Sequence, residues 1–89
     1  MAVHASHPDI IKRLKRAEGH LRAIIAMLED ERSCLEIAQQ LQAVESAVSK
    51  AKKTLVHDHI DHCLEHAAHS NKQISADTIR EFKAITKYL

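Results

Sequence analysis

The sequence predicts an all-α protein built from three helices, and three observations support this prediction. Apolar residues recur at spacings of three and four along most of the chain, which is the period of one helix face. Gly19 and Pro8 are the only glycine and proline, so the many turns of a β fold lack their usual residues. A chain of 89 residues, 1–89, is expected to form one domain with a thin core, which favours association into a homo-oligomer.

The first helix is predicted to begin near Pro8. A proline at the first helical position loses no hydrogen bond, and Asp9 places a negative charge in the first turn. Residues 1–7 precede this helix and are expected to be flexible. Gly19 either lets another backbone approach closely or is a tolerated surface residue. The apolar face is predicted to comprise Ile11, Leu14, Ala17, Leu21, Ile24, Ile25 and Leu28.

The second helix is predicted to start at Cys34, because Ser33 and Glu36 have the spacing of a capping box. It then continues for about 30 residues without a glycine or proline, and a helix of that length needs packing partners along its side. A connector at residues 70–75 and a short third helix are predicted to follow. The apolar positions of the third helix are Ile79, Phe82, Ile85 and Leu89.

His59 and Cys63 form a candidate metal-binding pair, because residues four apart in a helix lie on one face. A thiolate with an imidazole favours Cu(I), Zn(II), Ni(II) or Co(II) over Mg²⁺ or Ca²⁺. The pair alone is equally compatible with a small core cysteine beside a solvated histidine. Cys34 lies about 40 Å earlier along the same predicted helix. It can join this pair only if the second helices of two chains pack antiparallel, which predicts a two-fold dimer with two shared sites.

Charge is distributed unevenly along the chain, although its formal net value is only +1. Acidic residues concentrate at residues 29–36 and 58–65. This segregation can create a positive face for nucleic-acid phosphates, although the charge pattern by itself is more typical of an ordinary solvated helix. The basic clusters comprise Lys12, Arg13, Lys15, Arg16 and Arg22 in the first helix and Lys50, Lys52 and Lys53 in the second.

The composition also excludes several classes of protein. The chain has no run of the roughly 20 apolar residues that span a bilayer, and its N-terminal residues do not resemble a secretion signal. We therefore expect a soluble, cytoplasmic protein with no membrane partner, in which the two cysteines are thiols rather than a disulfide. Because no substrate pocket or candidate catalytic base stands out, we expect neither an enzyme nor a small-molecule substrate.

Four features together resemble the copper-sensitive operon repressor and nickel–cobalt repressor (CsoR/RcnR) family. They are Cys34, the His59-x-x-x-Cys63 pair, the segment Arg16-Ala-Glu-Gly-His-Leu-Arg22 and the segment Gln39-Gln-Leu-Gln-Ala-Val44. The resemblance covers residues 8–89. It implies a three-helix protomer, an antiparallel dimer that pairs into a tetramer, and a repressor that leaves its operator DNA when metal binds between subunits.

The resemblance also implies roles for particular residues. Cys34, His59 and Cys63 match the metal ligands, and Glu81 matches a glutamate that surrounds the site in copper sensors; Ser33 stands where those sensors have a tyrosine. His20 matches the family segment and is expected to pack or to lie near DNA. Arg13 and Lys50 match basic positions that contact DNA, and the full predicted DNA-binding set is Lys12, Arg13, Lys15, Arg16, Lys50 and Lys53.

Nickel and cobalt sensors of the family recruit an N-terminal histidine, for which His4 and His7 are candidates, although Ala2 has the expected spacing. His4 can equally be a terminal residue without a role, and His7 suits capping of the first helix better. The remaining histidines, His57, His62, His66 and His69, are expected to form a solvated face. A further nitrogen ligand suits Ni(II), Co(II) or Zn(II) better than Cu(I), so we favour nickel or cobalt.

Three alternative functions stay open. The first is a copper(I)-sensing repressor of the same fold, since Cys34, His59 and Cys63 suffice for a three-coordinate site. The second is a formaldehyde sensor that reacts through Cys34, which the presence of Cys63 argues against. The third is a nickel-binding protein without a regulatory role, which would bind metal but no promoter.

Overall fold

The computed structural model describes residues 5–69 and 75–89, which form three α-helices and a terminal 3₁₀ turn. The all-α prediction is confirmed, and α2 is longer than predicted, at 36 residues. The predicted connector lies almost entirely outside the described residues. The helices are α1 (His7–Glu29), α2 (Cys34–His69) and α3 (Ala76–Ile85), and the 3₁₀ turn is Thr86–Tyr88.

The start of α1 differs from the predicted one in its capping residue. The prediction that His7 caps the helix is wrong, because the carbonyl of Ser6 already accepts the first helical hydrogen bond, from the Ile10 N–H at 3.0 Å. Ser6 is therefore the N-cap and His7 is the first helical residue. The Ser6 hydroxyl donates a hydrogen bond to Oδ2 of Asp58 in α2 at 2.7 Å. This contact holds the start of α1 against the C-terminal half of α2.

A tight reversal joins α1 to α2. Glu31 adopts a left-handed backbone with φ 56°, and the N–H of Arg32 reaches back to the carbonyl of Met27 at 3.0 Å. These are the features of a Schellman ending, which satisfies the last carbonyls of a helix. The predicted cap of α2 is present, since the Ser33 hydroxyl accepts from the Glu36 N–H at 3.1 Å. The Glu36 carboxylate pairs with the Arg32 guanidinium.

The core of the hairpin is one seam in which buried residues recur every seven positions, from 10 to 24 on α1 and from 37 to 51 on α2, and Val56 adds a further buried residue five positions later. A seven-residue repeat keeps side chains on one stripe, as in a coiled coil. The seam therefore uses only a narrow strip of each helix, and Ala17 and Ile24 of α1 pack in one cluster with residues of α2. The buried residues are Ile10, Ala17 and Ile24 of α1 and Ile37, Val44, Ala51 and Val56 of α2.

The predicted apolar face of α1 is therefore wrong in part. Only Ala17 and Ile24 of its seven members are buried, because α2 covers the neighbouring stripe that starts at Ile10. The other five, Ile11, Leu14, Leu21, Ile25 and Leu28, are exposed in the single chain. A second exposed apolar stripe lies on α2, at Leu41, Val48 and Leu55. Two helices cannot cover both stripes of each other, so one chain leaves much apolar surface uncovered.

α3 packs against the C-terminal half of α2. Its N-cap is Ser75, whose hydroxyl accepts from the Thr78 N–H at 3.2 Å. Asp77 lies in the first turn and Lys83 in the last, as the helix dipole favours. Among residues 5–69 and 75–89, none of the helices has a stretch long and apolar enough to cross a bilayer.

Outside its own stretch of helix, Gly19 has no atom of the described residues within 4 Å of the place where a Cβ would stand, so no neighbouring backbone among them approaches it. Its φ is ordinary for a helix. We expect Gly19→Ala to raise the free energy of unfolding by about 1 kcal/mol, because alanine loses less backbone entropy than glycine in a helix. Urea denaturation at fixed protein concentration measures this change. A decrease instead would mean that another subunit's backbone packs at this position.

Candidate functional site

The end of the molecule formed by α2 and α3 brings His59, Cys63 and Glu81 together. One helical turn separates His59 from Cys63, and the Cys63 Sγ lies 3.5 Å from the His59 Nε2. The Glu81 Oε1, supplied by α3, lies 3.3 Å from the same nitrogen. The His59 side chain is 18% exposed, whereas that of Glu81 is 66% exposed. A single imidazole nitrogen therefore faces both a thiol and a carboxylate.

The electrostatics of this corner favour a protonated thiol when no metal is bound. Partial burial raises the pKa of the Cys63 thiol, and the negative charge of Glu81 raises it further. A thiol must lose its proton to bind metal, so metal binding here would release a proton. The donor set of imidazole, thiolate and carboxylate suits Zn(II), Ni(II) or Co(II), and the first two donors also suit Cu(I).

Cys34 lies far from this corner. It is exposed and is the first residue of α2, the same continuous helix that carries His59. At ~1.5 Å per residue the two are about 38 Å apart along the helix axis. Within the described residues, one chain has no preformed group of three or more His, Cys, Asp or Glu side chains suited to a metal. The structure thus brings together two of the three predicted main ligands.

The two N-terminal histidines predicted as further metal ligands are His4 and His7. His4 lies outside the described residues, and His7 is exposed at the start of α1. The hydrogen bond from Ser6 to Asp58 places this end of α1 beside the residue that precedes His59. His57 and His62 are exposed on α2, while the side chains of His66 and His69 are outside the described set. The Ser6–Asp58 contact had no signal in the sequence.

A second candidate site is a groove of about 270 Å³ between α1 and α2. Three of the predicted DNA-binding residues, Arg13, Arg16 and Lys50, line it, and no carboxylate is among its described lining. Lys12, Lys15 and Lys53 are exposed but are not part of this lining. The remaining lining consists of Ala17, His20, Ala43, Ser46 and Ala47.

Small residues explain why a groove forms at this place. Ala43 and Ala47 are four residues apart on α2 and therefore lie on the same face of the helix. Their short side chains fill little space, which leaves room for a groove between the longer side chains around them. His20 connects the two helices there, with Nε2 2.6 Å from the Gln40 Oε1. The roles of Ser46 and Gln40 were not predicted. The alanine spacing was the signal that could have revealed the groove.

Comparison with known proteins gives three kinds of similarity. The family model described as metal-sensitive transcriptional repressor matches residues 6–88. The copper-sensing transcriptional repressor CsoR of Bacillus subtilis (strain 168) is 38% identical over 81 residues, which cover 89% of this chain and 80% of that protein. CsoR of Mycobacterium ulcerans (strain Agy99) is 40% identical over 57 residues, or 64% of this chain. That alignment spans about half of the mycobacterial protein, 49%.

A solved structure resembles the whole chain. The nickel-responsive transcriptional regulator InrS has a TM-score of 0.81 and 27% identity, and the match covers 100% of this chain and 99% of that one. Copper and nickel are thus both represented among the similar proteins.

Proposed function

The chain belongs to the metal-sensitive transcriptional repressor family, and we propose that it leaves operator DNA when nickel or cobalt binds a site shared by two subunits. The family consists of transcriptional repressors rather than enzymes, in agreement with the sequence-based expectation. The observation that carries the shared site is the separation of Cys34 from the His59–Cys63 pair on one continuous helix.

The exposed stripe on α2 supports an antiparallel dimer in a particular register. Val48 lies midway between Leu41 and Leu55 along the helix, and all three are exposed in the single chain. If the two-fold axis passes at Val48, Leu41 of each chain faces Leu55 of the other, so the stripe is buried against itself. Burial of such side chains is the main favourable contribution in association.

The same register completes the metal site. With the axis at Val48, Cys34 of one chain lies opposite residue 62 of the other, one residue from Cys63 and three from His59. Cys34 is exposed and so is available to a second chain. The alignment of the two helices that buries the apolar stripe is therefore the same alignment that brings Cys34 close to the His59–Cys63 pair, although the two arguments use different residues. The exposed apolar residues of α1 leave a further surface on which two such dimers can pair into a tetramer.

We assign the operator contact to the basic groove. Arg13, Arg16 and Lys50 converge there from two helices, and guanidinium groups bind phosphate oxygens in a bidentate manner. Three exposed lysines that are close in sequence to the groove residues add further positive charge: Lys12, Lys15 and Lys53. Affinity of this kind comes chiefly from backbone phosphates and falls steeply with salt.

The start of α1 supports nickel or cobalt over copper. Ser6 contacts Asp58, the residue that precedes His59, and His4 stands two residues before Ser6 in the sequence. We propose His4 as the further imidazole ligand of the metal. Ni(II) and Co(II) take more than three donors, whereas Cu(I) is satisfied by the two cysteines and His59. The second candidate function, copper(I) sensing, is favoured by the names of the relatives with 38–40% identity.

Metal binding can affect the basic groove because α1 and α2 carry residues of both the metal site and the groove. α1 holds the Ser6–Asp58 contact at its start and Arg13 about 10 Å further along its axis. α2 carries Lys50 between Cys34 and His59. A metal that binds one arrangement of these helices more tightly shifts the population away from the DNA-binding arrangement.

The test is a DNA-release titration. Operator DNA is first selected from a random duplex library with the metal-free protein, and its fluorescence anisotropy is then followed as Ni(II), Co(II), Zn(II) or Cu(I) is added under anaerobic, reducing conditions. We expect release by nickel or cobalt, with sulfur-to-metal charge-transfer absorption appearing at the same stoichiometry. Release by Cu(I) alone would support the copper alternative, and release by no metal would contradict the proposal.

A further inference from the structure

We infer that His20 binds a DNA phosphate in the basic groove only in its protonated form, so that operator binding takes up a proton. This inference rests on the proposed operator contact of the groove. It goes beyond the family resemblance, which leaves open whether this histidine packs or lies near DNA. Operator affinity would then depend on pH through one identified side chain.

His20 is half-buried between the two helices of the groove and lies among positive charges. It lines the groove together with Arg13, Arg16 and Lys50, and Arg16 is one turn earlier on the same face of α1. A phosphate held by these three side chains would come close to the imidazole. A negative charge close to an imidazole favours its protonated form. Binding of the phosphate and binding of a proton therefore strengthen one another.

No carboxylate among the described residues that line the groove competes for this proton. α1 packs against α2 and against no other described helix, so the charges that face His20 come from these two helices. Glu18 lies two residues away on α1, where the helix turns it to another side, and it pairs with Arg22. Glu36 of α2 pairs with Arg32. The described groove thus presents only positive charge to the imidazole until a phosphate enters.

The contact with Gln40 decides which ring nitrogen is left for a phosphate. The Gln40 Oε1 lies 2.6 Å from the His20 Nε2, and an amide oxygen can only accept, so Nε2 donates to it. A neutral imidazole with its hydrogen on Nε2 has a lone pair on Nδ1, which repels a phosphate oxygen. Only the protonated ring donates from both nitrogens. While Gln40 holds the ring, His20 therefore binds phosphate only when it carries the extra proton.

The experiment compares His20→Gln with His57→Gln in the full-length, metal-free protein. Glutamine keeps a polar side chain but takes up no proton. His57 is the matched control, because it is exposed on α2 and is not among the residues that line the groove. Operator affinity is measured by anisotropy from about pH 6 to about pH 8.5 at several salt concentrations, since histidine changes its charge in this range. Circular dichroism checks that each variant keeps its helices.

We expect the unsubstituted protein to bind operator at least about 10-fold more tightly at the acidic end of this range, because hydrogen bonds from charged donors are stronger than neutral ones. The slope of log affinity against log salt should also be steeper there, by about 0.9 for each His20 that touches DNA. His20→Gln should lose both effects and keep the affinity of the alkaline end. His57→Gln should retain both effects.

Gln40→Ala tests the same inference without changing the histidine. Once Nε2 is released, the neutral ring can also donate to a phosphate, so operator binding at alkaline pH should tighten and the pH dependence should shrink. Loss of a merely structural contact would weaken binding at every pH instead. Unchanged pH dependence in this variant would overturn the conclusion that Gln40 restricts phosphate binding to the protonated ring.

The inference fails if His20→Gln has the same pH profile and the same salt slopes as the unsubstituted protein, even where metal still releases DNA. Conversely, a pH profile that disappears in His20→Gln, without release of DNA by any metal, would uphold proton uptake at His20. That second result would contradict only the proposed response to metal.

Discussion

Replacing Cys34 with alanine is expected to abolish metal-induced release of operator DNA, while binding of DNA by the metal-free protein stays largely intact. Cys34 is exposed at the start of α2 and contributes nothing to the buried seam, so its loss leaves the fold undisturbed. A structural zinc site supplies ~10–16 kcal/mol from four ligands, so one ligand contributes about 3 kcal/mol and its loss lowers metal affinity at least about 100-fold.

Mixing two inactive variants tests whether the site is shared. Cys34→Ala and Cys63→Ala each lack one thiol in every site, so neither alone should show full sulfur-to-metal absorption. In a mixed dimer, however, Cys34 of one chain meets an intact His59–Cys63 pair of the other. Random mixing in equal amounts makes half of the dimers mixed, and each holds one complete site, so about one quarter of the original absorption should return.

Recovery in the mixture requires exchange of subunits, which brief dilution or mild urea promotes. Unmixed samples that undergo the same treatment serve as the control. Recovery that never exceeds the sum of the two separate variants would contradict a site between subunits. A Cys34→Ala protein that still releases DNA on metal addition would contradict any role of this thiol in sensing.

Replacing Arg13, Arg16 or Lys50 with alanine is expected to weaken operator binding and to reduce its dependence on salt. Each lost phosphate contact lowers the slope of log affinity against log salt by about 0.9. A two-fold dimer carries every side chain twice, so one substitution should change the slope by nearly 2 where both copies touch DNA. Metal binding should be unaffected, since these residues lie on the groove and not at the His59 corner.

Lys52→Ala is the matched control for the groove. Lys52 is exposed on α2, two residues from Lys50, and two residues of a helix turn the side chain by about 200° to the opposite side. Its removal takes away the same charge but should leave the salt slope unchanged. Equal slopes for Lys50→Ala, Lys52→Ala and the unsubstituted protein, measured by anisotropy from low to moderate salt, would exclude the groove as the phosphate-binding surface.

The sequence by itself determined those features that depend on one helix. The three helices follow from apolar spacing and from the scarcity of glycine and proline, and the cap at Ser33 follows from a local pattern. The pairing of His59 with Cys63 also needs only the helical repeat, since residues four apart share a face. The same repeat separates Cys34 from them, because the rise per residue is constant.

Only the tertiary structure decided which atoms of different helices meet. Periodicity marked Leu14 and Leu21 as core, yet the buried stripe runs through Ile10, Ala17 and Ile24, because the partner helix chooses the stripe that it covers. The contact of Glu81 with His59 spans a segment between α2 and α3 whose path no local pattern encodes. The basic groove likewise exists only once α1 and α2 have packed together, because both helices contribute its lining residues. Contacts between helices depend on how the surfaces fit, and that fit exists only after the chain has packed.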